Sequence, residues 1–222
     1  MSHPLRIEPS LQSRFPGLEA HLIRLGDLKV EEMNPQLEML KGEIVRRIRE
    51  RWSLEELRRH PIIRAYRDFF WRLGLDPTKT RPAAEALLRR VLHGRGLPRI
   101  NTAVDAYNIA SLETFIALAA FDGSRVVGEP YMREAEPGEE FLGIGMERPR
   151  VLKGGEPVIA DDEKLLALYP YRDADSSKIT LETVEILLLV CGVPGIEAET
   201  LHKAGRVAVE YITRFCGGGV KP

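Results

Sequence analysis

The sequence predicts an α+β fold, and three observations carry that expectation. Apolar residues recur at helical spacing through much of residues 35–94 and again from Glu197 to Phe215. Between these stretches lie short apolar runs bounded by Gly, Pro or Asp, as strands usually are. The two kinds of segment do not alternate as regular βαβ units, which disfavours a doubly wound sheet and favours short mixed strands in a layer flanked by helices.

The elements follow in order. The first 30 residues are mixed, with strand-like Leu22-Ile23-Arg24-Leu25 before Gly26-Asp27. From Pro35 to Trp52, Leu37, Leu40, Ile44, Val45, Ile48 and Trp52 share one helical face, with arginines on the other. Ser53-Leu54-Glu55-Glu56 matches a capping box, in which the hydroxyl caps one free amide and Glu56 reaches back to another. Ile62, Ile63, Tyr66, Phe69 and Phe70 form a broad stripe that predicts a helix from Pro61 to Leu73, ended by Gly74 and followed by an Asp76-Pro77 turn. A third helix starts after Thr80, with Pro82 in its first turn, and runs through Ala86, Leu87 and Val91 to Gly94. Val104 to Glu113 reads as a further helix. Ile116–Phe121, Arg125–Val127, Phe141–Ile144, Pro157–Ala160 and Leu165–Tyr169 read as strands, and Val184–Val190 as a fully buried central strand. The closing helix, Glu197 to Phe215, turns Leu201, Val207, Ala208, Tyr211, Ile212 and Phe215 inward, leaving Cys216 and Gly217–Gly219 as a frayed tail. The expected division is a mainly helical segment at 1–78, a domain at 79–216 and a flexible tail at 217–222.

Composition bounds the function. With 222 residues, 44% hydrophobic and 29% charged, the chain suits one globular domain, or one with a small appendage. No run approaches the ~18 apolar residues of a membrane span, and Met1 to Glu8 lacks the apolar core of a secretory signal. Cys191 and Cys216 lie outside any C-x-x-C pair and read as reduced thiols, so a soluble cytoplasmic protein is expected. The net charge of −1 is unevenly spread: residues 1–100 hold 20 Lys and Arg against 13 Asp and Glu, the remainder 12 against 20. The basic half either supplies phosphate contacts or packs beside an acidic body.

Ordinary catalytic signatures are missing. There is no G-x-x-x-x-G-K-[ST] loop and no G-x-G-x-x-G; Gly143-Ile144-Gly145 reads as a turn or bulge. His3, His21, His60, His93 and His202 show no i, i+4 pairing, so neither a metal site nor a cofactor is expected. Ser111 sits outside a Gly-x-Ser-x-Gly elbow. What stands out is the polar stretch from Arg99 to Glu113. On a helix Asp105, Asn108 and Ser111 share one face, and such a stripe either forms an internal hydrogen-bond network or lines a pocket.

Several separated motifs carry a family resemblance: Arg81-Pro82-Ala83-Ala84-Glu85-Ala86-Leu87-Leu88-Arg89-Arg90, Leu97-Pro98-Arg99-Ile100-Asn101, Val104-Asp105-Ala106-Tyr107-Asn108 and Ser111-Leu112-Glu113. The likeness continues through Ala120-Phe121-Asp122, Arg133-Glu134-Ala135, Pro137-Gly138-Glu139 and Val158-Ile159-Ala160-Asp161 to Asp175–Thr183. Over about residues 80–190 the chain resembles the B3/B4 domain, the editing module of the phenylalanyl-tRNA synthetase β subunit, which also occurs as a free-standing protein. The resemblance implies a layered B3/B4-type domain without an aminoacylation core. It implies hydrolysis of mischarged aminoacyl-tRNA in trans, or, on the same fold, a non-catalytic module binding tRNA, an amino acid or a small metabolite. No membrane or DNA partner is expected.

The resemblance also implies site residues. Asn108 matches the asparagine of the family's Val-Asp-x-x-Asn motif and is the candidate catalytic residue. Ala119 stands where the family's His-Ala-Phe-Asp motif has histidine. Asp175 aligns with the acid that recognises a tyrosine hydroxyl, across a segment, Pro170 to Ala174, that departs from the family's Gly-Val-Met-Gly-Gly. Asp105, Glu113 and Ser111 join Asp175 as candidate substrate-binding residues, and Arg89, Arg90, Arg95 and Arg99 as candidate tRNA contacts. An aminoacyl ester is activated enough that its hydrolysis needs a positioned water and a polarised carbonyl, so no nucleophilic Ser or Cys is required.

Overall fold

Asn34 accepts the Gln36 and Leu37 amides and starts a long helix just ahead of Pro35; Ser53 and Glu56 close the reciprocal capping box expected of them. These local signals fix the helical part of a computed structural model that describes residues 2–222. In chain order the elements are β1 (His3–Pro4), β2 (Arg6–Ile7), α1 (Pro9–Arg14), β3 (Ala20–Gly26), α2 (Pro35–Arg51), α3 (Leu54–Arg59), α4 (Pro61–Arg72), α5 (Ala83–Leu92) and α6 (Thr102–Thr114). Then follow β4 (Ala117–Asp122), β5 (Tyr131–Glu134), β6 (Glu140–Phe141), β7 (Arg150–Val151), β8 (Pro157–Ala160), β9 (Leu165–Leu168), β10 (Arg172–Asp173), β11 (Ile186–Cys191), α7 (Ala198–Cys216) and β12 (Gly219–Val220). The fold is α+β.

Two five-stranded sheets share one core, and β6 pairs with β7 apart from them. The first sheet runs β1-β3-β11-β4, with β12 also on β3, and every pair is antiparallel. The second runs β10-β9-β8-β5-β2, and only its β2–β5 pair is parallel. Helix α7 covers one face of the first sheet. A Cβ added at Gly205 would meet Ile23 Cδ1 at 2.9 Å and Val190 Cγ2 at 3.4 Å, so the missing side chain lets helix and sheet approach. The other face meets the second sheet, where Tyr169 and Leu166 join Leu189 and Cys191 in the core. A second apolar cluster unites α2, α3, α4, α5 and α6 through Leu37, Ile48, Leu57, Ile63, Leu88 and Ile109. Arg67 on α4 grips the fully buried Glu85 of α5 through two hydrogen bonds of 2.8 and 2.5 Å, orienting the α5 surface.

Three expectations need correction. Arg125–Val127 is not a strand; Asp122 caps a single 3-10 turn at Gly123–Arg125, accepting the Ser124 amide. The Phe141–Ile144 run yields only the two-residue strand β6 and an isolated bridge from Gly143 to Ala174, because the chain turns at Ile144 and Gly145. The tail from Gly217 is not frayed. Gly219 and Val220 pair with Gly26 and Leu25, and the Lys221 amide donates to the Arg24 carbonyl. A glycine is needed at 218, since a Cβ there would lie 2.2 Å from the Gly26 carbonyl oxygen.

Candidate functional site

Helix α6 is buried on nearly every side, which its even spread of Ala, Ile and Leu dictates. Asn108 is one of its few residues that stays partly open, and it lines a cleft of about 740 Å³ beside α5 and β10. Helix α5 buries Ala84, Glu85, Leu88 and Val91, and so turns Arg89 and Arg90 outward into the same cleft. Lys79, Arg81, Arg95, His93 and Arg172 complete a basic wall, and Asp173 is the acid among them. Burial and the nearby Arg81 charge push the Arg89 guanidinium below its ordinary value, against the pull of Glu85.

Asp173 ends β10, where pairing with Ala167 of β9 fixes its direction. Burial of its carboxyl pushes it up to about 7, against the opposing pull of the Ala120 amide and the Arg172 charge. Next to Asn108, burial raises the Tyr107 phenol, and the charges of Asp173 and Asp105 raise it further, so it remains a neutral donor. A small recess of about 70 Å³ adjoins the cleft; both are walled by Ala83, Leu118, Tyr171, Arg172 and Asp173. Deeper in the recess are Ala119, Leu189, Cys191 and Tyr169. The Ala119 methyl thus faces a small and largely apolar space.

The other candidate residues are dispersed. Asp175 does not line the cleft; it begins a 3-10 turn after β10 and pairs with Lys178 at 2.9 Å. Asp175 is therefore not among the residues that wall the cleft with Asn108, because the chain leaves the strand after Asp173. Asp105 is buried and accepts Lys41 Nζ at 2.6 Å and the Ile100 amide at 3.1 Å, which ties α2 to the start of α6. Ser111 is buried and donates to the Ile116 carbonyl at 2.6 Å, closing the turn at Phe115, whose φ of 64° is left-handed. Glu113 pairs with Arg47 at 2.9 Å and accepts the Tyr211 hydroxyl, on the wall of a separate cleft containing Trp52 and His60. Arg89, Arg90 and Arg95 line the basic cleft, whereas Arg99 points to Glu38 at 3.3 Å outside it.

Sequence reasoning missed Asp173, Tyr107, Arg81, Lys79 and Arg172 as cleft residues. Tyr107 stood inside the Val-Asp-x-x-Asn motif. Asp173 lay two residues before the chosen acid, within the rewritten segment, and strand parity alone does not separate the two positions.

The B3/4 domain family matches residues 65–217, well over half of the chain. The β subunit of phenylalanine–tRNA ligase from Dechloromonas aromatica is 37% identical over 107 residues, covering 48% of this chain and 13% of that protein. The corresponding subunit from Nitrosospira multiformis is 30% identical over 158 residues, covering 59% and 20%. The chain thus spans a fifth or less of these relatives' length. Among solved structures, an N-terminal fragment of the phenylalanyl-tRNA synthetase β-subunit from Pyrococcus horikoshii superimposes with a TM-score of 0.52 at 14% identity, covering 97% of this chain and 49% of that one. This likeness supports the fold alone. Among the described residues no helix is long and apolar enough to cross a membrane. The match over residues 65–217 places the chain in the B3/4 domain family.

Proposed function

We propose that the basic cleft receives the 3′ end of an aminoacyl-tRNA and hydrolyses the ester of a wrongly attached amino acid, acting in trans. The observation that carries this reading is the placing of Asn108 and Asp173 in one cleft with six cationic side chains, Lys79, Arg81, Arg89, Arg90, Arg95 and Arg172. The cations hold the phosphates of the terminal nucleotides. The Asn108 amide, donor and acceptor at once, orients the ester carbonyl or the attacking water. Tyr107 supplies a neutral hydroxyl beside it. Asp173 gives up its proton when the α-ammonium of the amino acid arrives, and the ion pair formed positions the ester. The recess takes a small side chain. That the relatives are tRNA ligase subunits supports the choice of RNA as partner.

A second reading follows from Ala119, which offers no acid or base at the recess wall. On that reading the cleft binds tRNA or an amino acid without hydrolysis. Release of labelled amino acid from a panel of mischarged tRNAs separates the two. Acceleration of about 10²-fold or more over spontaneous hydrolysis, the scale of positioned proton transfer, supports the deacylase. Saturable binding without release supports the module, and neither release nor binding removes both.

A further inference from the structure

The fold brings together two histidines and an acid that are far apart in sequence. Glu19 and His21 precede and enter β3 two residues apart, so the strand's pleat sends both to one face, the face that α7 covers. His202 lies on α7, three residues before Gly205, the point of close approach to that sheet. His21 Nε2 is 2.7 Å from Glu19 Oε1, and the His21 and His202 rings meet edge to face with centroids 4.7 Å apart. One ligand-capable atom from each of the three residues lies within 4.8 Å of the others.

His21 is the fixed member. Its side chain is 6% exposed, and its Nδ1 is buried with no hydrogen-bond partner. A dry imidazole nitrogen left unpaired is costly, and the Glu19 contact accounts for only one of the two ring nitrogens. Glu19 at 39% side-chain exposure and the half-buried His202 can turn toward it. Two imidazoles and a carboxylate suit a borderline divalent ion such as Zn²⁺ or Co²⁺ rather than the all-oxygen preference of Mg²⁺ or Ca²⁺. Donor atoms about 2.0–2.1 Å from a tetrahedral zinc stand roughly 3.3 Å from one another, inside the 4.8 Å that spans the three donors here.

We propose that Glu19, His21 and His202 form a site for a divalent transition-metal ion, with water as the fourth ligand, at the junction of β3 and α7. It is separate from the basic cleft and rests on none of the cleft's chemistry.

The test uses the full chain freed of metal by chelation and dialysis. Co²⁺ is added while its visible d–d absorption is followed, and Zn²⁺ is then added as competitor. The proposal expects saturation at one Co²⁺ per chain, displacement by Zn²⁺, and a rise in melting temperature with Zn²⁺. Glu19→Gln and His202→Ala should each weaken binding by roughly 100-fold or more, since even the outer partners of metal ligands act on the 10–100-fold scale. Both sites are partly exposed, so each variant gives a reading if the other folds poorly. No stoichiometric binding by the unaltered chain, or equal binding by folded Glu19→Gln or His202→Ala, overturns the proposal.

Discussion

The α2–α6 interface and the basic cleft each draw a carboxylate out of water, and they differ in the partner each supplies. At the interface Asp105 is buried beside Lys41 at 2.6 Å, and the Ile100 amide takes its other oxygen. Burial still pushes its carboxyl upward, but cation and amide oppose the shift. In the cleft Asp173 is pushed up to about 7, with an amide and a neighbouring charge in partial opposition. One acid has been given its partner by the fold, whereas the other, on the function proposed above, keeps capacity for a partner that arrives. The comparison teaches that burial alone does not mark a site; a wall open to a cleft and incomplete pairing do.

The largest effect that can break this contrast is on stability. Asp105→Ala leaves Lys41, whose side chain is 7% exposed, near Glu38 but without its buried partner. Chemical denaturation should show a loss of about 3–5 kcal/mol, the cost typical of breaking a buried ion pair from one side. A loss below about 1 kcal/mol, within the range of exposed pairs, would show that the interface does not depend on Asp105.

The second contrast is in pH. Asp173 binds its proton more tightly folded than unfolded, so the stability it contributes is fully present below about pH 4 and is lost as pH rises through about 7. Melting curves of the unaltered chain should therefore fall relative to Asp173→Asn over that window and run parallel above it. At about 1.4 kcal/mol per pKa unit the ceiling is roughly 4 kcal/mol, which water in the cleft lowers. Parallel curves throughout would mean that the carboxyl titrates normally.

A smaller effect separates the arginines. If the cleft binds RNA, Arg90→Gln should lower the slope of log affinity against log salt by about 0.7–0.9, one counterion's worth, with little change in stability. Arg99→Gln, which loses only an exposed contact with Glu38, should leave the slope nearly unchanged. Equal slopes for the two variants would dissolve the distinction between cleft and rim.

Much of the fold was legible because local signals agreed with the final structure. Ser53 and Gly74 punctuate helices through side chain or backbone freedom, and the apolar run 184–190 reads as the buried strand β11 almost directly. The tail was misread because three glycines look like fraying, and only tertiary pairing with β3 shows that residue 218 must be glycine to pass Gly26. Within the candidate site, Asn108 was legible as a member of the polar stripe with Asp105 and Ser111 and through the Val-Asp-x-x-Asn motif. Asp173 was not, since choosing between it and Asp175 depends on where β10 ends and the 3-10 turn begins, which no residue pattern states. The meeting of His21 with His202 depends on α7 crossing β3, equally invisible to sequence spacing.

The most direct test compares Asp173→Asn and Asp175→Asn in binding a non-hydrolysable 3′-aminoacylamino-adenosine by calorimetry, across a panel of amino acids. The ligand presents the ammonium and the terminal nucleoside without depending on turnover. Loss of the charged partner in the cleft should weaken the best-bound member by about 10-fold or more, in line with a hydrogen bond to a charged group, while Asp175→Asn, which breaks only a part-exposed pair with Lys178, should stay within about twofold. Equal affinities for Asp173→Asn and the unaltered chain, with the loss falling on Asp175→Asn, would contradict the assignment of the cleft.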